Sequence, residues 1–130
     1  MDQSLGKNEK LKSKKLIECL FSEGKAVKKF PLKLVYLPLS SPQANCHKTG
    51  VTVPKKFMKS AVQRNGIKRL MREAFRKNKY LVDSASLPNY GFMFIYLSRD
   101  EMGYEQMNKT MILLLEKFKQ KEKEHEKSSH

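Results

Sequence analysis

The sequence has few cysteines, few acidic residues and no long hydrophobic run, and each shortage excludes a class of protein. Its 130 residues include two cysteines, Cys19 and Cys46, with no Cys-x-x-Cys motif and no histidine at ligand spacing. A disulfide framework or a zinc site is therefore not expected. No apolar run approaches the roughly 20 residues that cross a bilayer, and residues 1–15 lack the apolar core of a signal peptide. We therefore expect a cytoplasmic protein with no membrane partner.

Clustered carboxylates are also missing. A metal-dependent nuclease needs such a cluster to hold its ions, whereas Glu73 is the only acid between residues 25 and 79. Glu73 is interpreted as an ion-pair partner of Lys77, one helical turn later. No Ser-His-Asp or Cys-His arrangement and no glycine-rich phosphate loop is found. We expect no catalytic residue and no metal ligand in this chain, which favours a binding protein.

Positive charge is what the sequence has in excess. The chain carries 27 Lys and Arg against 13 Asp and Glu, a formal net charge of +14. Residues 25–79 contain fifteen of the basic residues and one acid. So local an imbalance points to nucleic acid or to an anionic membrane surface more than to solubility alone.

The basic residues concentrate in residues 55–79, where their spacing predicts one amphipathic helix. At about 100° per residue, polar side chains share one arc, which we call the cationic ridge: Arg64, Asn65, Lys68, Arg69, Arg72 and Arg76. Apolar side chains occupy the adjoining arc, the apolar seam: Ile67, Leu70, Met71, Ala74 and Phe75. Ser60 is a credible N-cap, the helix extends to about Asn78, and Gly66 inside it costs about 1 kcal/mol relative to alanine. The pattern indicates a buried seam and a ridge that faces a polyanion.

The remaining segments predict an α+β domain, a small sheet with helices packed on it. A short helix comes first, and three segments have the pattern of strands: residues 31–39, 47–53 and 90–97. The final helix begins near Tyr104, and the charged residues 119–130 after it are expected to fray or to be disordered. Residues 1–9 are expected to form a flexible basic tail, which leaves residues 10–118 as the domain.

Two segments offer side chains for a single strand of nucleic acid. In the first helix, Phe21 either packs in the core or stacks on a base. In the strand 31–39, one alternating set of side chains faces the core, and the other, with Lys33 and Val35, faces a ligand or solvent. Phe21, Val35 and Thr52 are placed to line a groove for a single strand. RNA is favoured over DNA, since the chain shows neither helix-turn-helix spacing nor a heptad zipper.

Residues 49–76, TGVTVPKKFMKSAVQRNGIKRLMREAFR, resemble the signature of the bacterial ribonuclease P protein component. The positions that match the signature are Gly50, Val53, Lys55, Lys56, Ala61, Val62, Arg64, Asn65, Lys68, Arg69, Arg72, Glu73 and Phe75. The resemblance extends over residues 10–118. It implies an α-β-β-β-α-β-α fold like the second domain of ribosomal protein S5, with an unusual left-handed β-α-β crossover, against the ordinary right-handed preference.

The resemblance also implies a function, removal of the 5′ leader of precursor tRNA by a ribonucleoprotein. The catalytic RNA performs the hydrolysis with Mg²⁺, and the protein, expected to be monomeric without RNA, improves substrate recognition. The implied RNA-binding residues are Lys55, Lys56, Arg64, Asn65, Lys68, Arg69, Arg72 and Arg76. A cleft between the first helix and the sheet holds the single-stranded leader, and its implied lining is Ile17, Phe21, Val35 and Thr52.

The chain departs from the family pattern at two notable positions. Gly66 stands where the family carries arginine, which removes one expected RNA contact or shifts its load to Arg69 and Lys59. Ile17 stands where the family offers an aromatic side chain, so base stacking there is weaker by up to about 1–3 kcal/mol. Two alternatives stay open, a structural RNA-binding protein of the ribosome or ribosome-assembly type and a basic DNA-binding module.

Overall fold

The computed structural model of the chain describes residues 14–39, 48–82 and 89–128. In chain order, its elements are helix α1 (Lys14–Glu23), strands β1 (Lys25–Lys29), β2 (Leu32–Pro38) and β3 (Lys48–Thr52), helix α2 (Ala61–Asn78), a short 3-10 helix (Lys79–Leu81), strand β4 (Tyr90–Tyr96) and helix α3 (Tyr104–Ser128). This order confirms the α+β fold class, with a four-stranded sheet and three helices. The predicted N-terminal tail, residues 1–9, lies outside the described residues.

The four strands form one mixed sheet in the order β1-β2-β4-β3. The pairs β1/β2 and β2/β4 are antiparallel, whereas β3 and β4 are parallel neighbours. Parallel neighbours need a crossover connection, and α2 lies in the connection between these two strands. The left-handedness of that crossover stays a prediction of the resemblance.

Strand β1 is predicted by the resemblance and not by the alternation of side chains. Its sequence, KAVKK, contains two apolar residues, and they are adjacent, so no period of two is visible. The strand forms because all five of its residues pair with β2, from Lys25 opposite Tyr36 to Lys29 opposite Leu32. Pairing with a neighbour therefore overrides a weak local signal.

The two faces of the sheet are covered unequally. Helices α2 and α3 pack on one face around the main core, which includes Phe75, Phe94 and Phe118. Helix α1 covers part of the other face, above a smaller cluster of Leu20, Val35 and Met93. Gly24 joins α1 to β1 at close quarters, since a Cβ there would lie 2.3 Å from the carbonyl oxygen of Leu20. The face under α1 therefore keeps half-buried strand residues beside the helix.

Helix α3 continues past residue 118, where the sequence placed the end of the domain. The Nζ atoms of Lys117 and Lys121 donate hydrogen bonds to the carbonyl oxygens of Lys28 and Ala26, at 2.9 and 2.8 Å. These carbonyls belong to β1, an edge strand of the sheet, and covering an edge in this way protects it from further pairing. Glu122 is also buried. The packed chain thus reaches at least Glu122, and the domain end at residue 118 stays a prediction.

Candidate nucleic-acid interface

The apolar seam of α2 is buried as its spacing predicts. Ile67, Met71, Ala74 and Phe75 are at most 3% exposed, and Leu70 packs half-buried against the same core. The ring centroid of Phe75 lies 5.8 Å from that of Phe92 and 5.1 Å from that of Phe94, both on β4. These contacts fix the rotation of α2 about its axis. The cationic ridge, on the adjoining arc, is therefore held at the surface.

The start of α2 is built by two residues of the predicted site region. The Oγ atom of Ser60 accepts a hydrogen bond from the Gln63 N–H at 3.4 Å, which confirms the predicted N-cap. The Nη1 atom of Arg64 donates to the carbonyl oxygens of Met58, at 3.0 Å, and Lys59, at 2.8 Å. The Met58 side chain is buried in the core. Arg64, a predicted RNA contact, thus also holds the preceding loop against the helix.

The middle of the cationic ridge carries charge that the fold does not neutralise. Arg69 and Arg72 are exposed and Lys68 is half-buried. Within residues 14–39, 48–82 and 89–128, none of the three makes an intramolecular hydrogen bond or ion pair. Asn65 is exposed one residue after Arg64. The first turn of α2 contains no acid, so its positive dipole end adds to the same potential. Such an arrangement is suited to phosphate groups.

The far end of the ridge is paired within α2. The Nη2 atom of Arg76 lies 3.2 Å from Oε2 of Glu73. The predicted pairing of Glu73 with Lys77 is therefore wrong, because the arginine at i+3 takes the carboxylate. The Lys77 Nζ lies instead 5.0 Å from the ring centroid of Tyr104, on α3. A partly exposed ion pair contributes only about 0–1 kcal/mol, so a phosphate can compete for Arg76 at small cost.

Lys55 and Lys56 occupy the turn that leads from β3 to α2, and both are exposed. The turn is closed by a hydrogen bond from the Phe57 N–H to the Pro54 carbonyl oxygen, at 3.1 Å. The Lys56 Nζ lies 5.1 Å from the centroid of the Phe57 ring. Both lysines thus lie in the short segment before the N-terminal end of α2, where they extend the cationic ridge.

The four residues implied for the leader cleft differ in accessibility. Phe21 is 57% exposed, so it is a surface aromatic side chain and does not pack in the core. Val35 is 6% exposed and packs with Met93 beneath α1. Ile17 packs against the same cluster, and Thr52 is half-buried at the end of β3. Phe21 and Thr52 therefore offer reachable side chains, whereas Val35 forms a floor that the helix covers.

The pairing register brings in Lys28 and Lys33, which are not among the implied site residues. Along one line across all four strands, which we call the cross-sheet row, the paired residues are Lys28, Lys33, Ile95 and Thr52. The turn at residues 30 and 31 sets this register and was the signal available in the sequence. A hairpin centred there places Lys28 directly opposite Lys33.

Comparison with known proteins identifies the family. The family model described as Ribonuclease P matches residues 5–119. The chain belongs to the ribonuclease P protein family. Within the described residues, no helix has the length and apolar character needed to cross a membrane.

Relatives named ribonuclease P protein component match this chain to different extents. That of Porphyromonas gingivalis strain ATCC 33277 is 43% identical over 79 residues, which cover 61% of this chain and 58% of the relative. This chain thus spans less than two thirds of that relative's length. The protein component of Clostridium botulinum strain Langeland is 30% identical over 112 residues, 85% of this chain and 95% of the relative.

Solved structures of ribonuclease P proteins share the fold. The Thermotoga maritima protein superposes with a TM-score of 0.69 at 21% identity, over 84% of this chain and 96% of that one. The Staphylococcus aureus protein gives a TM-score of 0.67 at 20% identity, over 83% and 93% of the two chains. The arrangement of three helices on a four-stranded sheet is thus the fold of this family.

Proposed function

We propose that this chain is the protein subunit of ribonuclease P. In this role it binds the catalytic RNA and the 5′ leader of precursor tRNA, and so promotes endonucleolytic removal of the leader. The observation that carries the proposal is the set of three cations, Lys68, Arg69 and Arg72, on a helix whose rotation the core fixes. No described residue neutralises them, so they are available to an external polyanion. The proposal places the chain in the cytoplasm, as a monomer until it joins its RNA.

The proposal assigns binding to this chain and hydrolysis to the RNA. Within the described residues, no group of three or more His, Cys, Asp and Glu is placed to hold a metal ion. The proposal assigns the Mg²⁺ of the reaction to the RNA partner. What this chain supplies is phosphate neutralisation, since each lysine or arginine on a phosphate releases condensed counterions. That neutralisation lowers the Mg²⁺ concentration at which the complex works.

The open part of the sheet beside α1 is the proposed leader site. The exposed ring of Phe21 offers a stacking surface for an unpaired base. Ile17, packed against the cluster under α1, offers a smaller apolar contact. This site and the cationic ridge lie on different elements, so one chain can contact catalytic RNA and substrate together.

Cleavage by the reconstituted enzyme tests the proposed function. The chain and its cognate catalytic RNA together are expected to produce mature tRNA 5′ ends at low Mg²⁺, where neither does so alone. Co-sedimentation with ribosomal particles, without stimulation of cleavage, would favour the structural RNA-binding alternative. Equal affinity for duplex DNA at matched salt would favour the DNA-binding module. Cleavage by the protein alone would contradict the assignment of hydrolysis to the RNA.

A further inference from the structure

The cross-sheet row is the strip of sheet next to α1 on the face that this helix partly covers. Side chains along a strand alternate between faces, so Lys33 shares a face with Val35, and Ile95 shares it with Met93. Val35 and Met93 lie buried under α1, whereas Lys33 and Ile95 are half-buried. With neighbouring strands about 4.8 Å apart, the row is roughly 14 Å long. It begins at Thr52, a residue of the proposed leader site, and ends at the β1 edge.

Two lysines stand directly opposite each other at the outer end of this row. Like charges at directly opposed positions of antiparallel strands destabilise the pair, whereas opposite charges stabilise it. Lys28 is exposed and Lys33 half-buried, and neither side chain forms a hydrogen bond or ion pair with any described residue.

A third positive charge lies at the same edge of the sheet. The Lys117 Nζ donates to the carbonyl oxygen of Lys28 at 2.9 Å. Lys117 belongs to α3, on the other face of the sheet, so its charge lies at the β1 edge and adds to the positive potential there.

We propose that Lys28 and Lys33 bind backbone phosphates of the single-stranded leader. This inference rests on the proposed function and adds a direction, across the sheet from β3 towards β1. Thr52 and Ile95 give the inner part of the row a partly apolar surface, and the two lysines give its outer part a cationic one. Single-strand binding surfaces combine these two features along one groove. Because the lysines contact phosphate, they recognise the presence of a leader and not its sequence.

Lys33→Glu tests this proposal through two measurements that should move in opposite directions. The substitution places a carboxylate opposite Lys28, so the cross-strand pair becomes attractive and Tm should rise. The same substitution removes a phosphate contact, so the reconstituted holoenzyme should bind precursor tRNA roughly five- to tenfold more weakly, with a salt slope smaller by about 0.7. Binding of mature tRNA, which has no leader, should not change.

Lys29→Glu is the matched control. Lys29 is exposed on β1, next to Lys28, and its side chain points to the opposite face of the sheet, where it pairs with Leu32. Lys29→Glu changes the net charge by the same amount as Lys33→Glu but creates no cross-strand pair with Lys28. The Tm gain of Lys33→Glu should therefore exceed that of the control. Only Lys33→Glu should reduce the preference for precursor over mature tRNA. If Lys33→Glu lowers Tm because the half-buried site does not tolerate it, Lys28→Glu creates the same pair from the exposed side and decides the question.

Three results would overturn the inference. If Lys33→Glu and Lys28→Glu both keep the wild-type preference for precursor tRNA, this inference is overturned and the proposed function is not. Equal loss of precursor and mature tRNA binding would assign the lysines to the catalytic RNA. A wild-type holoenzyme that binds both tRNAs equally would overturn the proposed leader site and this inference with it.

Discussion

Gly66 lies beside the cationic ridge, on the same helix, and has no side chain. It lies in the second turn of α2, between Asn65 and Ile67, and it is exposed. A Cβ at this position would meet no described atom within 4 Å, and its φ is not positive. Nothing in the local packing therefore requires glycine, and the residue costs the helix about 1 kcal/mol relative to alanine.

Gly66→Arg is therefore expected to strengthen both the fold and RNA binding. The free energy of unfolding should rise by about 0.5–1 kcal/mol, and the slope of log K against log salt for the catalytic RNA should steepen by up to about 0.9. Urea unfolding and filter binding measure the two effects. Gly66→Ala is the control, since it should give the gain in stability without the change in slope. A loss of stability in both variants would mean that the backbone at Gly66 needs glycine.

Tyr36 makes stability depend on pH in the alkaline range. Burial, and then the Glu122 carboxylate, raise the pKa of Tyr36 above its ordinary value. Above about pH 10 the unfolded chain loses this proton and the folded chain keeps it. The free energy of unfolding should therefore fall with pH, by up to about 1.4 kcal/mol per unit from this residue. The stabilising contribution is complete below pH 10 and is lost above it.

Tyr36→Phe isolates that contribution from the titration of the many lysines. The stability of wild type relative to Tyr36→Phe should be constant from pH 7 to 9 and should decline between pH 10 and 11. Urea unfolding at each pH gives the difference. Parallel curves for the two proteins up to pH 11 would show that Tyr36 ionises as readily in the folded chain as in the unfolded one.

At the scale of elements, α2 is the part that the sequence predicts most fully. One periodicity buries the seam and exposes the ridge, so both follow from local spacing, together with the Ser60 cap. The intramolecular contacts of the two residues at the ends of the ridge, Arg64 and Arg76, do not follow from spacing. Arg64 donates to the carbonyl oxygens of Met58 and Lys59, whose positions depend on the loop before α2. Arg76, and not Lys77, forms the ion pair with Glu73.

Two parts of the fold do not follow from the local spacing of apolar residues, strand β1 and the end of α3. Strand β1 has too few apolar residues to show a period, and its register with β2 creates the cross-sheet row. The end of α3 is rich in lysine and glutamate, a composition that predicts a solvated tail. It is held by a bond from Lys121 to Ala26, 95 residues earlier, and by the buried Glu122. The α3 contacts leave no local pattern in the sequence, whereas the register of β1 had one signal, the turn at residues 30 and 31.

The seam of α2 is tested by Phe75→Ala. Because Phe75 is buried against Phe92 and Phe94, its truncation should lower the free energy of unfolding by about 3–5 kcal/mol. Val62→Ala, on the exposed side of the same helix, is the control and should change stability by less than about 0.5 kcal/mol. Thermal or urea unfolding measures both. Wild-type stability in Phe75→Ala would mean that α2 is rotated differently on the sheet.

The end of α3 is tested by two truncations. Ending the chain after Phe118 removes Lys121 and the buried Glu122, and should lower the free energy of unfolding by about 1–2 kcal/mol. Ending it after Lys123 keeps both residues and should leave the stability closer to that of wild type. Equal urea midpoints for the two truncated chains would contradict the packing of this segment on β1.

At the scale of the whole molecule, the two faces of the sheet have different roles in the proposed function. Helices α2 and α3 close the main core on one face, and α2 presents the cationic ridge at the surface. The other face carries α1 and the cross-sheet row. Residues 25–79, with fifteen basic residues and one acid, contribute both the ridge and the lysine pair. Charge and fold thus support one account, in which this chain bridges a catalytic RNA and its substrate.

The most direct test of the account is the salt dependence of binding to the catalytic RNA alone. The triple variant Lys68→Gln, Arg69→Gln, Arg72→Gln removes three cations of the ridge, none of which a described residue neutralises. Its control neutralises three lysines of α3, Lys109, Lys119 and Lys123. The account predicts a slope of log K against log salt that is smaller by about 2–3 in the ridge variant and nearly unchanged in the control. Equal slopes for wild type and the ridge variant would contradict it.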